Sequence, residues 1–384
     1  MNLLTIVFSL ILVVANPWIA TSGAFAKAPA LGIRIGRLQH GRYDAITDVS
    51  GVRVGNVTHI EGSGRLVAGV GPVRTGVTAI IPRTDVWERK VFAAAWPLNG
   101  NGEMTGTNWL NEAGALEEPI LLTSTLSVGR VYDGVETWMI QQHPGVGISD
   151  DEPIPVVMEI ADDYLNDQQG RHDTPADAVA ALNAAVSGPV PQGNVGGGTG
   201  SVAFDFKGGI GTASRVLSTD DGGYTVGVLV NANAGSDADS LLIQGVPVGL
   251  ELSKLKSVDP SSHSIDVVIA TNAPLLHDQL EALCRRAALG LARDGHQSHI
   301  GSGDLFIAFS TANVVPHYPV ERTYTATVMD VQHENPTFIA TEDAAEEALV
   351  NALLAAQTMT GRDGHTVEAL PHDKLLAILR KYGR

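Results

Sequence analysis

Cysteine and positive charge are both scarce in this sequence. The chain of 384 residues contains one cysteine, Cys284, so no disulfide can form within it. Because Cys284 lies in a segment with a helical pattern, we interpret it as a small buried hydrophobic residue. The chain has 25 Lys and Arg residues against 42 Asp and Glu residues, a formal net charge of −17. This charge argues against nucleic acid or an anionic membrane as a partner.

Several common catalytic and binding motifs are also missing. No Gly-x-Ser-x-Gly sequence occurs, so the nucleophile elbow of α/β-hydrolases is unsupported. The glycine-rich stretch 191–200 lacks the Gly-Lys-Ser/Thr ending of a phosphate-binding loop, and we interpret it as a region of close backbone packing. His296 and His299 lie in a glycine-rich segment whose spacing fixes no common face, whereas zinc needs three or four converging ligands. We therefore expect surface or hydrogen-bonded histidines, and neither a metal nor another cofactor.

The first 26 residues differ in composition from the rest of the chain. Residues 3–15 are almost entirely apolar, Pro17 follows, and residues 24–26 fit a small-x-small cleavage site. A secretory signal peptide over 1–26 is the preferred interpretation, and it predicts a periplasmic or secreted protein with no membrane contact after its removal. The first two residues include no Lys or Arg, so a retained signal anchor is the alternative, although the apolar run is short for a span.

Strand and helix patterns are mixed over the remaining chain without a strict βαβ rhythm. Strands are predicted within 75–83, 154–160, 224–235 and 265–270, and the stretch 119–129 is interpreted as a strand and a turn. Helices are predicted at about 107–116, 173–188, 276–293, 342–360 and 371–382. No internal repeat or low-complexity linker divides the chain. We therefore expect one domain over 27–384, of the α+β class, with helices covering sheet faces.

Ser264 stands where a polar loop meets a buried strand. Residues 261–263 are small or polar, and the apolar run 265–270 is interrupted only by Asp266. A serine at such a junction can be held rigidly and still be reached by a substrate. If the chain were cut before Ser264, its own α-amine, with an ordinary pKa of ~7.7–8.0, would provide a base for the hydroxyl. From these residues alone, an ordinary turn serine remains the more common interpretation.

A series of motifs between residues 46 and 375 adds to this interpretation. They include ITDVSGVRVGNVT at 46–58, GNVGGGTG at 193–200, FKGGIGTASR at 206–215, ATNAPLL at 270–276 and GSGDLFIAFSTAN at 301–313. In this order the set resembles the family of L-aminopeptidase D-Ala-esterase/amidases and β-aminopeptidases. These are self-processing hydrolases akin in mechanism to N-terminal-nucleophile enzymes. The resemblance implies a layered α-β-β-α sandwich, shared with ornithine acetyltransferases, and a homo-oligomer of αβ heterodimers.

The resemblance also implies a cut in the chain and a nucleophile. Cleavage between His263 and Ser264 would give an α chain of 27–263 and a β chain of 264–384. Ser264 would then be the nucleophile and its free α-amine the general base. His263 stands where Gly or Asn is expected in relatives, and it could slow or assist the cleavage.

Four further site residues follow from the same resemblance. Asn233 corresponds to the donor that stabilises the oxyanion, and Ser302 and Asp304 to the pair that hydrogen-bonds the nucleophile and its amine. Glu159 corresponds to the acid that receives the free amino group of the substrate. Ala161 replaces an aromatic residue that is frequent in relatives, which leaves the preferred N-terminal residue open.

The function that the resemblance implies is that of a serine aminopeptidase. It would release N-terminal residues from short peptides, amides or esters, with D- and β-residues among the candidates. A related acyltransferase is one alternative, although ornithine acetyltransferases use a threonine nucleophile. An uncleaved, non-catalytic binding protein is the other alternative, which His263 makes conceivable.

Overall fold

Two mixed β-sheets form the centre of the fold, and the computed structural model describes residues 26–235, 237–252 and 264–384. The strands are β1 Arg53–Glu61, β2 Val73–Ile81, β3 Arg89–Gly100, β4 Ala115–Leu116, β5 Ile120–Ser124, β6 Val156–Ile160, β7 Val202–Ala203, β8 Phe206–Lys207, β9 Gly209–Val216, β10 Thr225–Asn233, β11 Ser264–Thr271, β12 Gly303–Pro316, β13 Met359–Thr360 and β14 Thr366–Val367. The helices are α1 Thr107–Ala113, α2 Val128–Gln142, α3 Pro175–Asn183, α4 Val248–Leu252, α5 His277–Arg293, α6 Asn335–Ala355 and α7 His372–Lys381. His263 and residues 1–25, which carry the predicted cleavage and signal sites, lie outside the described residues.

The strand order places β11 near the middle of the larger sheet. That sheet runs β4-β3-β12-β11-β10-β9, and the smaller one runs β1-β2-β5-β6. Neighbours are antiparallel except for β11 with β12 and β5 with β6, which are parallel. Parallel neighbours need a crossover connection, and here α5 and α2 lie within those two connections.

The fold has four layers, helices, sheet, sheet and helices, and a cluster of apolar residues lies between each pair of neighbouring layers. One cluster lies between the larger sheet and α5 and α6, a second between the two sheets, and a third between the smaller sheet and α2 and α3. Along β11, Val267 and Ile269 belong to the helix-facing cluster, whereas Val268 and Ala270 belong to the cluster between the sheets. The alternation of strand side chains therefore turns Ser264 and Asp266 toward the smaller sheet. The predicted α-β-β-α sandwich is confirmed.

The predicted helices are present with shifted ends. Thr174 caps α3, because its hydroxyl accepts a hydrogen bond from Asp177 N at 3.3 Å. This helix ends at Asn183, before the predicted 188, and α6 begins at Asn335 rather than at 342. Cys284 is buried in α5, as expected.

Helix α2 was not predicted from the sequence, since 119–129 was interpreted as a strand and a turn. Glycines at 129 and 134 weaken the helical signal of this segment. Gly134 is needed for packing, since a Cβ there would lie 2.6 Å from the Ala178 Cβ of α3. Within the described residues, no helix is long and apolar enough to cross a membrane.

Candidate active site

Ser264 is the first residue of β11 and lies between two neighbouring strands. It pairs with Asn233 of the antiparallel strand β10 and with Gly303 of the parallel strand β12. Its Oγ accepts a hydrogen bond from Gly303 N at 3.3 Å, and the residue is 4% exposed. The hydroxyl is thus held by the sheet at the edge of the space between the two layers.

Asn233 faces the same side of the sheet as Ser264, because the two residues are directly opposed. Its Oδ1 accepts a hydrogen bond from Val202 N at 2.7 Å, and its Nδ2 donates to Ala161 O at 3.0 Å. Because Val202 N is a donor, it determines the orientation of the Asn233 side-chain amide, with Oδ1 facing Val202 and Nδ2 facing Ala161. An amide nitrogen carries two N–H donors, and within the described residues only one of the two has a partner, Ala161 O.

The stretch 193–202 reaches Asn233 from the space between the sheets. Gly197 N donates to Thr78 Oγ1 at 3.1 Å, and a Cβ on Gly197 would lie 2.9 Å from Leu122 O. The buried Lys207 Nζ donates to Gly198 O at 3.3 Å and to Ser201 O at 2.7 Å. The expected close backbone packing of this glycine-rich stretch is confirmed, and its last part orients the Asn233 amide.

Ser302 and Asp304 contact each other at the start of β12. Ser302 Oγ donates to Asp304 Oδ1 at 2.6 Å, while the Ser298 hydroxyl donates to Oδ2. Burial would raise the pKa of Asp304, but hydrogen bonds and the charge of His296 outweigh it and lower the pKa. Asp304 pairs with Ile265, so its side chain points to the helix-facing side of the sheet, away from the Ser264 hydroxyl. Ser302 immediately precedes Gly303, next to the backbone of Ser264.

Glu159, at the end of β6, reaches the same region from the smaller sheet. Its Oε1 accepts a hydrogen bond from Glu103 N at 3.0 Å, and its Oε2 accepts one from the Thr125 hydroxyl. Burial raises the pKa of Glu159, which is 4% exposed, and these two donors partly offset the rise. A Cβ on Gly102 would lie 3.1 Å from Glu159 Oε1 and 3.2 Å from Gly303 Cα. The carboxyl group therefore lies close to the strand partner of Ser264.

Two residues near the site were not assigned to it from the sequence. His296 is buried, with its Nε2 3.4 Å from Asp304 Oδ2, whereas His299 is exposed and contacts Gln297. The two histidines do not converge, and only the burial of His296 distinguishes it. In the sequence, Asp266 is the one polar residue in the apolar run 265–270. A carboxyl group within a predicted buried strand was the available signal of a functional residue.

A cluster that could hold a metal lies elsewhere, between the N-terminal segment and α6. Ligand atoms of His40, Asp44 and Glu347 come within 4.8 Å of one another. Arg215 Nη2 lies 2.6 Å from Glu347 Oε2 and His40 Nε2 lies 3.0 Å from the same oxygen. The guanidinium already supplies a positive charge to this cluster, so we interpret it as an ion-pair network.

The fold and the position of Ser264 together indicate a class of protein. An α-β-β-α sandwich with a buried serine at the first position of a central strand is the arrangement of hydrolases of the N-terminal-nucleophile type. Residues 44–367 match the profile of Peptidase family S58. The chain belongs to this family and is an aminopeptidase, a hydrolase of peptide bonds.

Related proteins resemble the chain over nearly its whole length. It is 44% identical over 381 residues to the β-peptidyl aminopeptidase BapA of Sphingosinicella microcystinivorans, covering 95% of this chain and 94% of that one. A β-aminopeptidase structure from a Burkholderia species has a TM-score of 0.87 at 44% identity, covering 94% of this chain and 99% of that one. The L-aminopeptidase D-Ala-esterase/amidase of Ochrobactrum anthropi, a serine aminopeptidase with a variant Ntn hydrolase fold, has a TM-score of 0.86 at 42% identity, covering 93% and 99%.

Proposed function

We propose that this aminopeptidase is self-processing and that Ser264 is its nucleophile. The observation that carries the proposal is the position of Ser264 at the first residue of β11, opposite the oriented amide of Asn233. A cut before Ser264 would place a free α-amine beside the hydroxyl it must activate, as in other N-terminal nucleophiles.

Self-processing requires the Ser264 Oγ to attack the carbonyl carbon of His263. The peptide C–N bond breaks as the C–O ester bond forms, and the proton of the hydroxyl moves to the released amine. Water then hydrolyses the ester, leaving a carboxylate on His263 and a free amine and hydroxyl on Ser264. The two products are the α chain 27–263 and the β chain 264–384.

Turnover uses the same hydroxyl on a substrate. The neutral α-amine of Ser264 takes the proton of Oγ as Oγ attacks the substrate carbonyl, and the free N–H of Asn233 stabilises the oxyanion. The leaving group departs with that proton, and water hydrolyses the acyl-enzyme. Ser302 and Asp304 are proposed to orient the amine from the start of β12.

Glu159 is proposed to receive the amino group of the substrate. A desolvated ammonium group needs a paired carboxylate, and Glu159 is buried near Gly303. A cleft of about 380 Å³ beside it is lined by residues that include Gly102, Met104 and Leu305. Since relatives are β-peptidyl aminopeptidases and an L-aminopeptidase D-Ala-esterase/amidase, we propose short peptides, amides and esters with N-terminal α- or β-residues as substrates.

Secretion and assembly are further parts of the proposal. The composition of residues 1–26 supports a removable signal peptide and a periplasmic or secreted enzyme. An oligomer of αβ pairs is proposed from the family resemblance of the sequence. N-terminal sequencing of the exported protein should begin near residue 27, and a native mass equal to one αβ pair would contradict the oligomer.

A serine substitution tests the central claim. On a denaturing gel the wild-type protein should give two bands, of the sizes of 27–263 and 264–384. Ser264→Ala should give one full-length band and no hydrolysis of aminoacyl p-nitroanilides, because both steps need the hydroxyl. The control Ser218→Ala changes an exposed serine and should be cut and active. A cut or active Ser264→Ala protein would show that another residue is the nucleophile.

A further inference from the structure

Asp266 is a buried acid on the same strand and the same sheet face as Ser264. It pairs with Asn231 of β10 and with Leu305 of β12. These pairs lie two residues further into the sheet than the pairs made by Ser264. Its exposed fraction is 0%. Leu305 Cδ1 lies 3.5 Å from the position that a Cβ on Gly102 would occupy, and Glu159 Oε1 lies 3.1 Å from it. Asp266 therefore borders the region into which Glu159 projects.

Within the described part of the chain, no cation lies beside Asp266, and its carboxyl oxygens make no hydrogen bond of normal geometry. A weak contact with the Asn231 amide, whose Nδ2 also lies 3.4 Å from Gly197 O, offsets only part of the effect of burial. Glu159 of the smaller sheet and Asp304 of the adjacent strand β12 raise the pKa of Asp266 by their charges, whereas Asn231 of β10 lowers it. Burial, followed by the charge of Glu159, raises the pKa of Asp266 well above its ordinary value.

The two acids differ in which one keeps a proton. Glu159 accepts hydrogen bonds from Glu103 N and the Thr125 hydroxyl, and these favour its charged form. Asp266 has only the weak contact with Asn231, so Glu159 ionises first and Asp266 keeps its proton to higher pH. A cation that binds next to a neutral carboxyl group stabilises the ionised form of that group and so favours its ionisation.

We propose that Asp266 is a second carboxyl group of the amino-binding site, protonated in the empty site and ionised when an ammonium group binds beside Glu159. This inference rests on the proposed role of Glu159. The ammonium ion neutralises the charge of Glu159 and adds a favourable charge near Asp266. Asp266 then releases its proton to solvent, and its carboxylate becomes a second counter-ion for the bound cation. The ligands that the site selects are primary ammonium ions.

Because amine binding and ionisation of Asp266 are coupled, the affinity for an amine should depend on pH in a predictable direction. The pKa of Asp266 is higher in the empty site than in the occupied one, so binding releases a proton between those two pKa values. Affinity for a cation therefore rises with pH across that interval, by at most about tenfold per pH unit. Titration of Glu159 adds a similar rise at lower pH, which an Asp266 variant should keep.

Inhibition by propylamine, with 1-propanol as the uncharged analogue, measures this coupling. The inhibition constant is determined at several pH values against hydrolysis of β-alanyl p-nitroanilide, in the range where propylamine stays protonated. For the wild-type enzyme it should fall with rising pH above the range in which Glu159 titrates. Asp266→Asn keeps the shape but cannot ionise, so it should retain only the part of this fall that comes from deprotonation of the Ser264 α-amine, and its inhibition constant at high pH should be several-fold larger. An unchanged profile in Asp266→Asn would overturn the inference.

Two further variants serve as controls. One tests for a general effect of removing a buried acid, and the other tests the proposed role of Glu159. Asp294 is also fully buried with both carboxyl oxygens unpartnered in the described chain, so Asp294→Asn is the matched control and should keep the wild-type profile. A changed profile in Asp294→Asn would overturn the inference by showing that any buried acid has this effect. Glu159→Gln should abolish binding of propylamine, measured by calorimetry because this variant is not expected to turn over aminoacyl substrates. If binding persists there, the role of Glu159 is wrong, whereas a wild-type pH profile of inhibition in Asp266→Asn alone rejects only the role of Asp266.

Discussion

Each proposed group of the site is oriented by a backbone partner or by strand register. The Asn233 amide is oriented by Val202 N and Ala161 O, and Glu159 by Glu103 N. Ser264 is placed by register between β10 and β12. Such fixed donors and acceptors need little reorganisation during a reaction, which is the condition for effective electrostatic stabilisation.

Replacement of Asn233 tests its role as an oxyanion donor. Asn233→Asp keeps an acceptor for Val202 N but removes the N–H donors. The expected result is a fall of ~10²–10³ in kcat with little change in KM, because the donor acts mainly on the oxyanion. Turnover of processed protein is measured with an aminoacyl p-nitroanilide.

The control for this experiment is Asn272→Asp, at the far end of the same strand pair. Asn272 Oδ1 accepts a hydrogen bond from Thr225 N at 2.7 Å, so the change is chemically equivalent. It should leave kcat unchanged. A similar loss of kcat in both variants would indicate damage to the sheet rather than loss of an oxyanion donor.

At the level of elements, glycine lets helices approach strands closely. Gly211 of β9 lies under α6, where a Cβ would be 2.0 Å from Ala348 O and 2.6 Å from Ala352 N. Both contacts are with backbone atoms, so a side chain would have to displace the helix. Gly134, one of the two glycines that weaken the signal of α2, and Gly211 of FKGGIGTASR are thus needed for layer packing.

Two Gly→Ala substitutions should differ in sign. Gly211→Ala should lower the free energy of unfolding by about 1–3 kcal/mol, because it overpacks the β9–α6 contact. Gly129→Ala, in α2, meets no atom within 4 Å and should raise the free energy by about 0.5–1 kcal/mol. Urea unfolding of the Ser264→Ala protein, which has a single chain, gives both values. Equal effects of the two changes would contradict this account of the packing.

In the whole molecule, the two segments on either side of Ser264 form one sheet. β12 lies between β3 and β11, and β11 lies between β10 and β12. β3 and β10 precede the proposed cut, while β11 and β12 follow it. The two strands of the proposed β chain therefore lie side by side in the middle of the larger sheet, with strands of the proposed α chain on both sides, and separation of the chains would expose apolar faces.

The processed protein should accordingly remain one particle. The α and β chains are expected to co-elute in size-exclusion chromatography without denaturant and to separate only in concentrated guanidinium. The Ser264→Ala protein is the control and should elute at the same volume as the processed enzyme. Dissociation of the two chains in native buffer would contradict the expected contribution of the shared sheet.

Much of the fold was predictable because its signals are local. Thr174 and Pro175 mark the start of α3, and apolar runs mark the strands, since both depend on residues close in sequence. The end of α3 and the whole of α2 were not predicted, because Gly134 is explained only by the contact with Ala178 across the helix pair.

The sequence alone determined the family, the order of the elements and the candidate nucleophile, because motifs and periodicity are properties of neighbouring residues. Only the tertiary structure decided which side chains meet. Glu159 and Asp266 belong to different sheets, and Asp304 faces His296 rather than the Ser264 hydroxyl because of strand register. Both aspartates are fully buried, but hydrogen bonds and the charge of His296 lower the pKa of Asp304 despite its burial, whereas burial and the charge of Glu159 raise the pKa of Asp266.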